Sequence, residues 1–439
     1  MSDPSQNKEE RCFETLALHA GQAPDAATGA RAVPIHATSS YVFESAEHAA
    51  KLFAGEAAGN QYGRMHNPTV AAFTERLVAL ENGRAGLALS SGQAATTAAL
   101  LTLAAPGKHI VFSNQLFGGT FSVARKILEP WGCSFSAVEP TPEEVANAIQ
   151  DNTVAVWCET IGNPSCGVPD LKAIAELCRE VDVPFLVDNT WGCGGYLCRP
   201  LKLGADIVIH SATKWIGGHG TFVGGAIVDG GRYNWDNGKF PAFTSLDSRG
   251  RTYVSRSDTP FTLRAYDLGL FTMGMTLSPH SAFLGLQGLE TLPLRVQRSC
   301  DSALALAKWL ETRREVKRVS YPGLESHPCH EDAKKTLQNG FGAVLSFETH
   351  SLADTQRFLD SVELASHLAN IGDAKTVVIN PWTTTHASMS EEARVSAGVS
   401  PELIRVSVGL ENLADIQQDF AQALAPATSS TRQPLLSTS

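Results

Sequence analysis

Short apolar runs alternate with helical patterns between residues 80 and 230, and this alternation limits the fold more than any other feature of the chain. The apolar runs predict strands at residues 86–90, 109–113, 154–159, 184–188, 206–210 and 224–228. The segments between them predict helices at residues 93–103, 120–131, 143–150 and 171–181. Strands that alternate with helices form a mainly parallel sheet covered on both faces, and ligands bind at the carboxyl ends of such strands.

The last third of the chain has a second and smaller α/β pattern. It predicts strands at residues 343–348, 376–380 and 404–409, and helices at residues 352–361 and 413–423. A helical stretch at residues 278–314 precedes it, and the polar, glycine-rich segment 229–260 predicts a long surface loop of the kind that often forms a lid. We therefore predict four regions: an N-terminal arm at residues 1–75, a large domain at 76–285, a small C-terminal α/β domain at 286–426 and a disordered tail at 427–439.

Composition and charge exclude several classes of protein. The 439 residues include 35 Lys plus Arg and 45 Asp plus Glu, and the resulting net charge of −10 argues against a nucleic-acid-binding surface. No apolar run has the length of a membrane-spanning helix, and the polar N-terminus lacks the pattern of a signal peptide. The nine cysteines are odd in number and form no pair of CxxC units, which predicts reduced thiols, no metal site and a cytoplasmic location.

Three polar features follow predicted strands and can carry chemistry. The segment 211–220 comes directly after strand 206–210 and places Lys214 between two hydroxyl residues and a glycine-rich turn, although an isolated lysine beside a turn is usually a surface residue. Asp188 ends strand 184–188, where a capping aspartate is the ordinary alternative. The turn at residues 90–93 begins a helix whose free N–H groups can bind an anion.

These three features together meet the needs of one cofactor. Pyridoxal phosphate requires a lysine for its aldehyde, an acid for its pyridinium nitrogen and an anion site for its phosphate. The acid keeps the ring nitrogen protonated, so that the ring can accept electron density from a carbanion. We therefore predict a pyridoxal 5′-phosphate enzyme.

The ordered motifs identify a family. The chain resembles the pyridoxal-phosphate-dependent Cys/Met metabolism (trans-sulfuration) enzymes from about residue 13 to residue 423, and is most similar to their O-acetylhomoserine sulfhydrylase branch. The motifs that carry the resemblance lie at residues 18–22, 32–43, 62–69, 90–95, 159–164, 187–200, 210–220, 288–295, 366–375 and 404–411. The resemblance implies a fold-type I transferase, with a mostly parallel seven-stranded sheet in the large domain.

The resemblance also implies roles for individual residues. Lys214 would bond the cofactor aldehyde and move protons, and Asp188 would pair with the ring nitrogen. The phosphate would be bound by Gly92, Gln93, Ser211 and Thr213, and by Tyr62 and Arg64 of a neighbouring subunit, which requires a homodimer or a tetramer. Asn163 would approach the cofactor hydroxyl. The substrate carboxylate would be bound by Arg405, whose planar guanidinium suits it, with help from Asn370.

The expected reaction is γ-substitution on O-acetyl-L-homoserine. Acetate leaves through a β,γ-unsaturated intermediate, and a nucleophile then adds at Cγ. The acceptor is sulfide, or a carbon or amine nucleophile of a specialised biosynthetic pathway. The alternatives are a γ-lyase that forms 2-oxobutanoate and a catalytically inactive scaffold that binds the cofactor.

Two departures from the family pattern bear on the acceptor. Phe117 stands where the family usually has a tyrosine stacked on the cofactor ring, so the ring can stack but has no phenol to move a proton. Trp382 stands in a segment that usually reads differently in the sulfhydrylase branch, and we expect its bulky ring near the acceptor or the substrate. Both changes favour an acceptor larger than sulfide, whereas neutral drift in an ordinary sulfhydrylase remains the alternative.

Overall fold

Two β-sheets organise the chain in the computed structural model, which describes residues 11–387 and 389–426. The larger sheet consists of β1 (Ala85–Leu89), β2 (His109–Ser113), β3 (Ser134–Val138), β4 (Thr153–Glu159), β5 (Phe185–Asp188), β6 (Ile207–Ser211) and β7 (Gly225–Asp229). The strand order is β1-β7-β6-β5-β4-β2-β3, and only β7 runs antiparallel to its neighbours. The predicted mostly parallel seven-stranded sheet is therefore confirmed. The predicted disordered tail at 427–439 lies outside the described residues.

The smaller sheet is built from the C-terminal third. Its strands are β8 (Val316–Ser320), β9 (Val344–Thr349), β10 (Ser366–His367), β11 (Val377–Ile379) and β12 (Leu403–Ser407). They are ordered β10-β11-β12-β9-β8 and mostly antiparallel, and β10 and β11 form the one parallel pair among these strands. Strand β12 occupies the centre, so a side chain on it is held between paired neighbours.

Helices cover both sheets. They are α1 (Phe13–His19), α2 (Ala46–Ala54), α3 (Pro68–Glu81), α4 (Gly92–Leu103), α5 (Gly118–Val123), α6 (Pro142–Ala148), α7 (Leu171–Glu180), α8 (Pro200–Leu203), α9 (Pro241–Thr244), α10 (Tyr253–Arg256), α11 (Pro260–Ala265), α12 (Pro279–Glu290), α13 (Leu292–Glu311), α14 (His330–Thr336), α15 (Leu352–Ser361), α16 (Glu391–Ser396) and α17 (Leu413–Leu424). Two π-helical segments, Ala124–Leu128 and Tyr266–Thr272, continue α5 and α11.

Two long predicted helices are each divided. The helix predicted at residues 120–131 consists of α5 and the π-helical segment that follows it. The stretch predicted at 278–314 consists of α12 and α13, which meet at Thr291. Ser278 caps α12, since its side chain accepts the backbone N–H of Ser281, and Pro279 occupies the first turn as proline can.

The central strands are apolar throughout because the large sheet is buried on both faces. Phe185, Val187 and Val208 belong to the hydrophobic cluster on one face. Leu186 and Ile207 belong to the cluster on the other face, with helix α4. Polar side chains are therefore confined to the ends of these strands, and that is where the cavity lies.

The segment 229–260 packs through buried aromatic side chains and is not a loop that lies wholly on the surface. Trp235 and Phe243 are buried and stacked, with ring centroids 4.8 Å apart, and Phe240 packs against both. None of its residues lines the cavity described below. The prediction of a surface loop is therefore correct only in part, and the structure gives no support to a lid.

Other predictions concern cysteines, metals and membranes. All nine cysteines are free thiols. Within residues 11–387 and 389–426, no group of three or more His, Cys, Asp or Glu side chains is arranged to hold a metal ion. In the same described part of the chain, no helix is long and apolar enough to span a membrane.

Candidate active site

A cavity of about 360 Å³ opens at the carboxyl ends of β4, β5 and β6. This is the edge where a parallel sheet places its ligand sites. The cavity brings together most of the residues predicted from the sequence: Gly92, Gln93, Phe117, Asn163, Asp188, Ser211, Thr213, Lys214, Asn370 and Arg405. Residues from both sheets therefore contribute to one site.

Lys214 lies just beyond β6 and points into the cavity. Its Nζ donates a hydrogen bond of 2.7 Å to Oδ1 of Asn370, which is itself predicted as a site residue. Burial, and secondly the positive charge of Arg405, lower the pKa of Lys214 from 10.5 to about 8. A much larger fraction of this amine than of an ordinary lysine is therefore uncharged near neutral pH, as a nucleophile and a proton carrier require.

Asp188 ends β5 beside the cavity. Its Oδ1 accepts the backbone N–H of Thr190 at 2.9 Å. Burial raises the pKa of Asp188, because a carboxylate loses its hydration there, while hydrogen bonds from Thr190 and the charge of His210 partly oppose this effect. A bound cation facing Asp188 would keep the carboxylate ionised, and a protonated pyridine nitrogen is such a cation.

The beginning of α4 forms an anion cradle against the end of β6. Ser91 caps the helix by accepting the N–H of Ala94, so the N–H groups of Gly92 and Gln93 at the first turn have no acceptor within the helix. A Cβ atom at Gly92 would lie 2.6 Å from Cβ of Ser211, so only glycine allows this close approach. The Ser211 hydroxyl and two backbone donors thus converge, which fits a phosphate group.

Arg405 supplies the cation of the site from the centre of the smaller sheet. It is almost fully buried on β12, and its Nη1 donates to Oδ1 of Asn163 at 2.9 Å while its Nη2 donates to the carbonyl of Asn370 at 3.3 Å. Burial lowers the pKa of Arg405 to about 10, so the guanidinium stays charged at neutral pH. Its position suits an amino-acid carboxylate that enters the cavity.

Glu159 is a site residue that the sequence analysis did not single out. It ends β4 and is paired in register with Asp188 on β5, and it accepts the backbone N–H of Phe117 at 2.6 Å. Burial, and secondly the negative charge of Asp188, raise the pKa of Glu159 well above its usual value. The sequence could have indicated Glu159 as a site residue, because Glu159 ends an apolar strand in the same way as Asp188 does.

Phe117 forms part of the rim of the cavity. Its ring is 43% exposed and lies directly over Gly119, where an added Cβ atom would contact the ring. Val223, also on the rim, is 57% exposed. The rim is therefore apolar and open, and Phe117 can stack on a planar ring but cannot exchange a proton.

Three predicted residues do not line this cavity in the single chain. Tyr62 is 44% exposed, and Nη1 of Arg64 donates to the carbonyls of Leu270 and Phe271. Trp382 is covered by the guanidinium of Arg394, which lies 3.9 Å from its ring centroid. The expectation that Trp382 contacts the substrate or the acceptor therefore receives no support, because its ring packs beneath an arginine outside the cavity.

The chain is similar to known proteins over nearly its whole length. The model of the family described as Cys/Met metabolism PLP-dependent enzyme matches residues 14–425. The chain is 49% identical to the homocysteine synthase of Schizosaccharomyces pombe, with 94% of this chain and 98% of that protein covered. It is 46% identical to O-acetyl-L-homoserine sulfhydrylase 1 of Thermus thermophilus, with 94% and 100% covered.

A solved structure is similar over nearly the whole chain. It is an O-acetylhomoserine (thiol)-lyase of Campylobacter jejuni with N′-pyridoxyl-lysine-5′-monophosphate, and the TM-score is 0.91 at 33% sequence identity. The alignment covers 94% of this chain and 100% of that one.

Proposed function

The chain belongs to the Cys/Met metabolism PLP-dependent enzyme family, and we propose that it catalyses γ-substitution on O-acetyl-L-homoserine. In this reaction acetate leaves Cγ and a nucleophile takes its place. The cofactor is pyridoxal 5′-phosphate, and the residues that line the cavity fit it. The names of the relatives, which are a homocysteine synthase and an O-acetyl-L-homoserine sulfhydrylase, support this donor.

One observation carries the proposal. An amine of lowered pKa, a buried carboxyl group and a buried guanidinium meet in a single cavity, as Lys214, Asp188 and Arg405. An α-amino acid has one carboxylate for the guanidinium and one amine that can approach the lysine. The arrangement therefore supports an amino-acid substrate and proton transfer at its carbons.

Each residue has a distinct proposed task. When bound, the cofactor supplies an aldehyde that bonds amines and a ring that withdraws electrons from the α carbon of the substrate. Arg405 holds the substrate carboxylate, and Asp188 holds the proton on the ring nitrogen. Lys214 would take the α proton, pass it to the bound cofactor and, uncharged again, take a β proton; acetate would depart from Cγ with the bonding electrons, and Lys214 would return the protons after the acceptor has added.

The names of the relatives and the apolar rim of the cavity each favour one candidate for the nucleophilic acceptor. Sulfide is the first candidate, because a relative of 46% identity is named a sulfhydrylase. A carbon or amine nucleophile is the second candidate, and the open apolar rim at Phe117 and Val223 favours it, since an organic acceptor can bury apolar surface there and sulfide cannot.

Product analysis tests the proposal. The holoenzyme is given O-acetyl-L-homoserine with sulfide, thiols, amines and β-keto compounds in competition, and the products are identified by mass spectrometry. We expect acetate release and a substituted amino acid. Equal formation of 2-oxobutanoate with and without acceptors would instead show a γ-lyase. Cofactor absorbance that does not respond to O-acetyl-L-homoserine would show an inactive scaffold.

We also propose that a second copy of the chain completes the site. Tyr62 and Arg64 would reach the phosphate of the neighbouring copy from an arm at residues 1–75, whose described part exposes Val42 and Phe53. The proposed large domain at 76–285 contains β1–β7, and the proposed small domain at 286–426 contains β8–β12. The exposed apolar residues support an interface, because burial in a dimer would remove them from water.

Complementation tests the shared site. Lys214→Ala and Arg64→Ala chains, each inactive, are unfolded together in equal amounts and refolded. Random pairing makes about half of the dimers mixed, and each mixed dimer has one intact site of two, so we expect about a quarter of parental activity. Activity no greater than the sum of the two separate variants would contradict sharing.

A further inference from the structure

Glu81 is a buried carboxylate beneath the cavity that the proposed reaction does not use. It ends α3, is fully buried and does not line the cavity. Its Oε1 accepts two hydrogen bonds of 2.7 Å, one from Nδ2 of Asn189 and one from Nε2 of His210, and both of these residues are also fully buried. One oxygen atom therefore joins two strands.

The two donors lie next to the proposed cofactor ligands. Asn189 directly follows Asp188 at the end of β5, and His210 directly precedes Ser211 at the end of β6. The strand ends are also joined directly: the N–H of Asn189 donates to the carbonyl of Ile209 at 2.8 Å, and the N–H of Ser211 donates to Oγ1 of Thr190 at 2.8 Å. Glu81 thus holds, from the opposite side, the two strand ends that present the carboxyl for the ring nitrogen and a hydroxyl for the phosphate.

The buried arrangement of Glu81 and His210 lowers the stability of the fold in one respect, which is unexpected for a group that serves stability alone. Oε2 of Glu81 and Nδ1 of His210 are buried without a hydrogen-bond partner among the described residues. A buried polar atom without a partner destabilises the folded state, and apolar residues often replace buried polar pairs without loss of stability. The presence of this hydrogen-bonded pair here is therefore better explained by the residues that it positions.

We propose that Glu81 is a positioning residue for the cofactor: through Asn189 and His210 it sets the spacing between Asp188 and Ser211. The proposal rests on the proposed roles of Asp188 and Ser211. Glu81 touches neither the cofactor nor the substrate, and so acts only through its two donors. His210 also affects Asp188 directly, since its charge opposes the effect of burial on the pKa of that carboxyl.

Affinity for pyridoxal 5′-phosphate tests the proposal. Apoprotein variants are titrated with the cofactor well below their unfolding temperatures, and the visible circular dichroism of the bound cofactor reports its orientation. Glu81→Gln keeps the shape and one accepting oxygen, and we expect Kd to rise about 5-fold. Glu81→Met removes both acceptors, and we expect a rise of about 30-fold with a weaker dichroic band, because two charge-assisted hydrogen bonds are lost.

Asp419 provides a matched control far from the cavity. It is also a buried carboxylate, and it accepts three hydrogen bonds, from the N–H groups of Glu363 at 2.7 Å and Ala365 at 2.9 Å and from Nε2 of Gln422 at 3.2 Å. Asp419→Asn should lower the unfolding temperature and leave the Kd within two-fold of the parent. A purely structural Glu81 would behave in the same way, with a lower unfolding temperature and an unchanged Kd in both variants, and that result overturns the proposal.

Two further variants separate this inference from the site assignment. Asp188→Asn and Ser211→Ala should each raise the Kd for the cofactor. If neither does, the assignment of the site fails. If both do while Glu81→Gln and Glu81→Met bind as the parent does, only the positioning role fails. Should Glu81→Met not fold, the 5-fold change expected for Glu81→Gln decides.

Discussion

The lowered pKa of Lys214 makes the rate of cofactor uptake depend on pH in a defined way. Only the uncharged amine attacks an aldehyde. With a pKa of about 8, about 9% of the amine is uncharged at pH 7, compared with about 0.03% at the ordinary value of 10.5. We expect the rate at which apoprotein takes up pyridoxal 5′-phosphate to rise with pH and to level off above a midpoint near pH 8.

Substitution of Arg405 tests this expectation, because the positive charge of Arg405 is the second cause of the lowered pKa of Lys214. Arg405→Met removes that charge and should raise the midpoint. Burial is the larger cause and remains, so the rise should not exceed about one pH unit. Arg405→Lys keeps a positive charge and should leave the midpoint near pH 8. The assay uses the cofactor alone, so loss of substrate binding in these variants does not affect it.

Stopped-flow absorbance between pH 6 and pH 10 measures the midpoint. Circular dichroism in the far ultraviolet checks that each apoprotein variant is folded. A parental midpoint above pH 10 would refute the effect of burial on Lys214. An equal midpoint in the parent and in Arg405→Met would refute the contribution of the neighbouring charge.

Three further predictions concern the site. Borohydride reduction of the holoenzyme should label Lys214, and Lys214→Ala should lower kcat at least about 1000-fold; a label on another peptide would reject its role. Glu159→Gln should keep kcat/KM within about three-fold, because the amide oxygen still accepts the N–H of Phe117, whereas Glu159→Ala should lower it about 10-fold; equal losses in both variants would show that the carboxyl itself is needed. Phe117→Tyr should change the ratio of products from competing acceptors while the cofactor Kd stays within two-fold, and an unchanged product ratio would remove any role for this position.

The large sheet could be predicted because its central strands are buried on both faces and are therefore apolar throughout. Strands β3 and β8 were missed for the opposite reason. Both lie at sheet edges and consist of exposed and half-buried residues, as in Ser134–Val138 and Val316–Ser320, so no apolar run marks them.

The candidate site could be predicted where a polar residue ends an apolar strand or lies within a few residues of its end, as Asp188 and Lys214 do. Contacts between distant segments could not be predicted in this way. Glu81 meets His210 across 129 residues, and Trp382 contacts the guanidinium of Arg394 and does not line the cavity. Sequence position alone does not show the direction in which a side chain points.

Arg405 lies on the smaller sheet and Lys214 lies just beyond β6 of the larger sheet, and this placement has a mechanical consequence. An amino acid bound between Arg405 and Lys214 connects the part of the chain that carries the smaller sheet to the part that carries the larger sheet. The contact between these two parts is called the seam below. Substitutions that loosen this seam, even at buried apolar positions such as Ile371, should weaken substrate affinity before they slow the bond-breaking steps. Substrate in turn should protect the seam against proteolysis and hydrogen exchange.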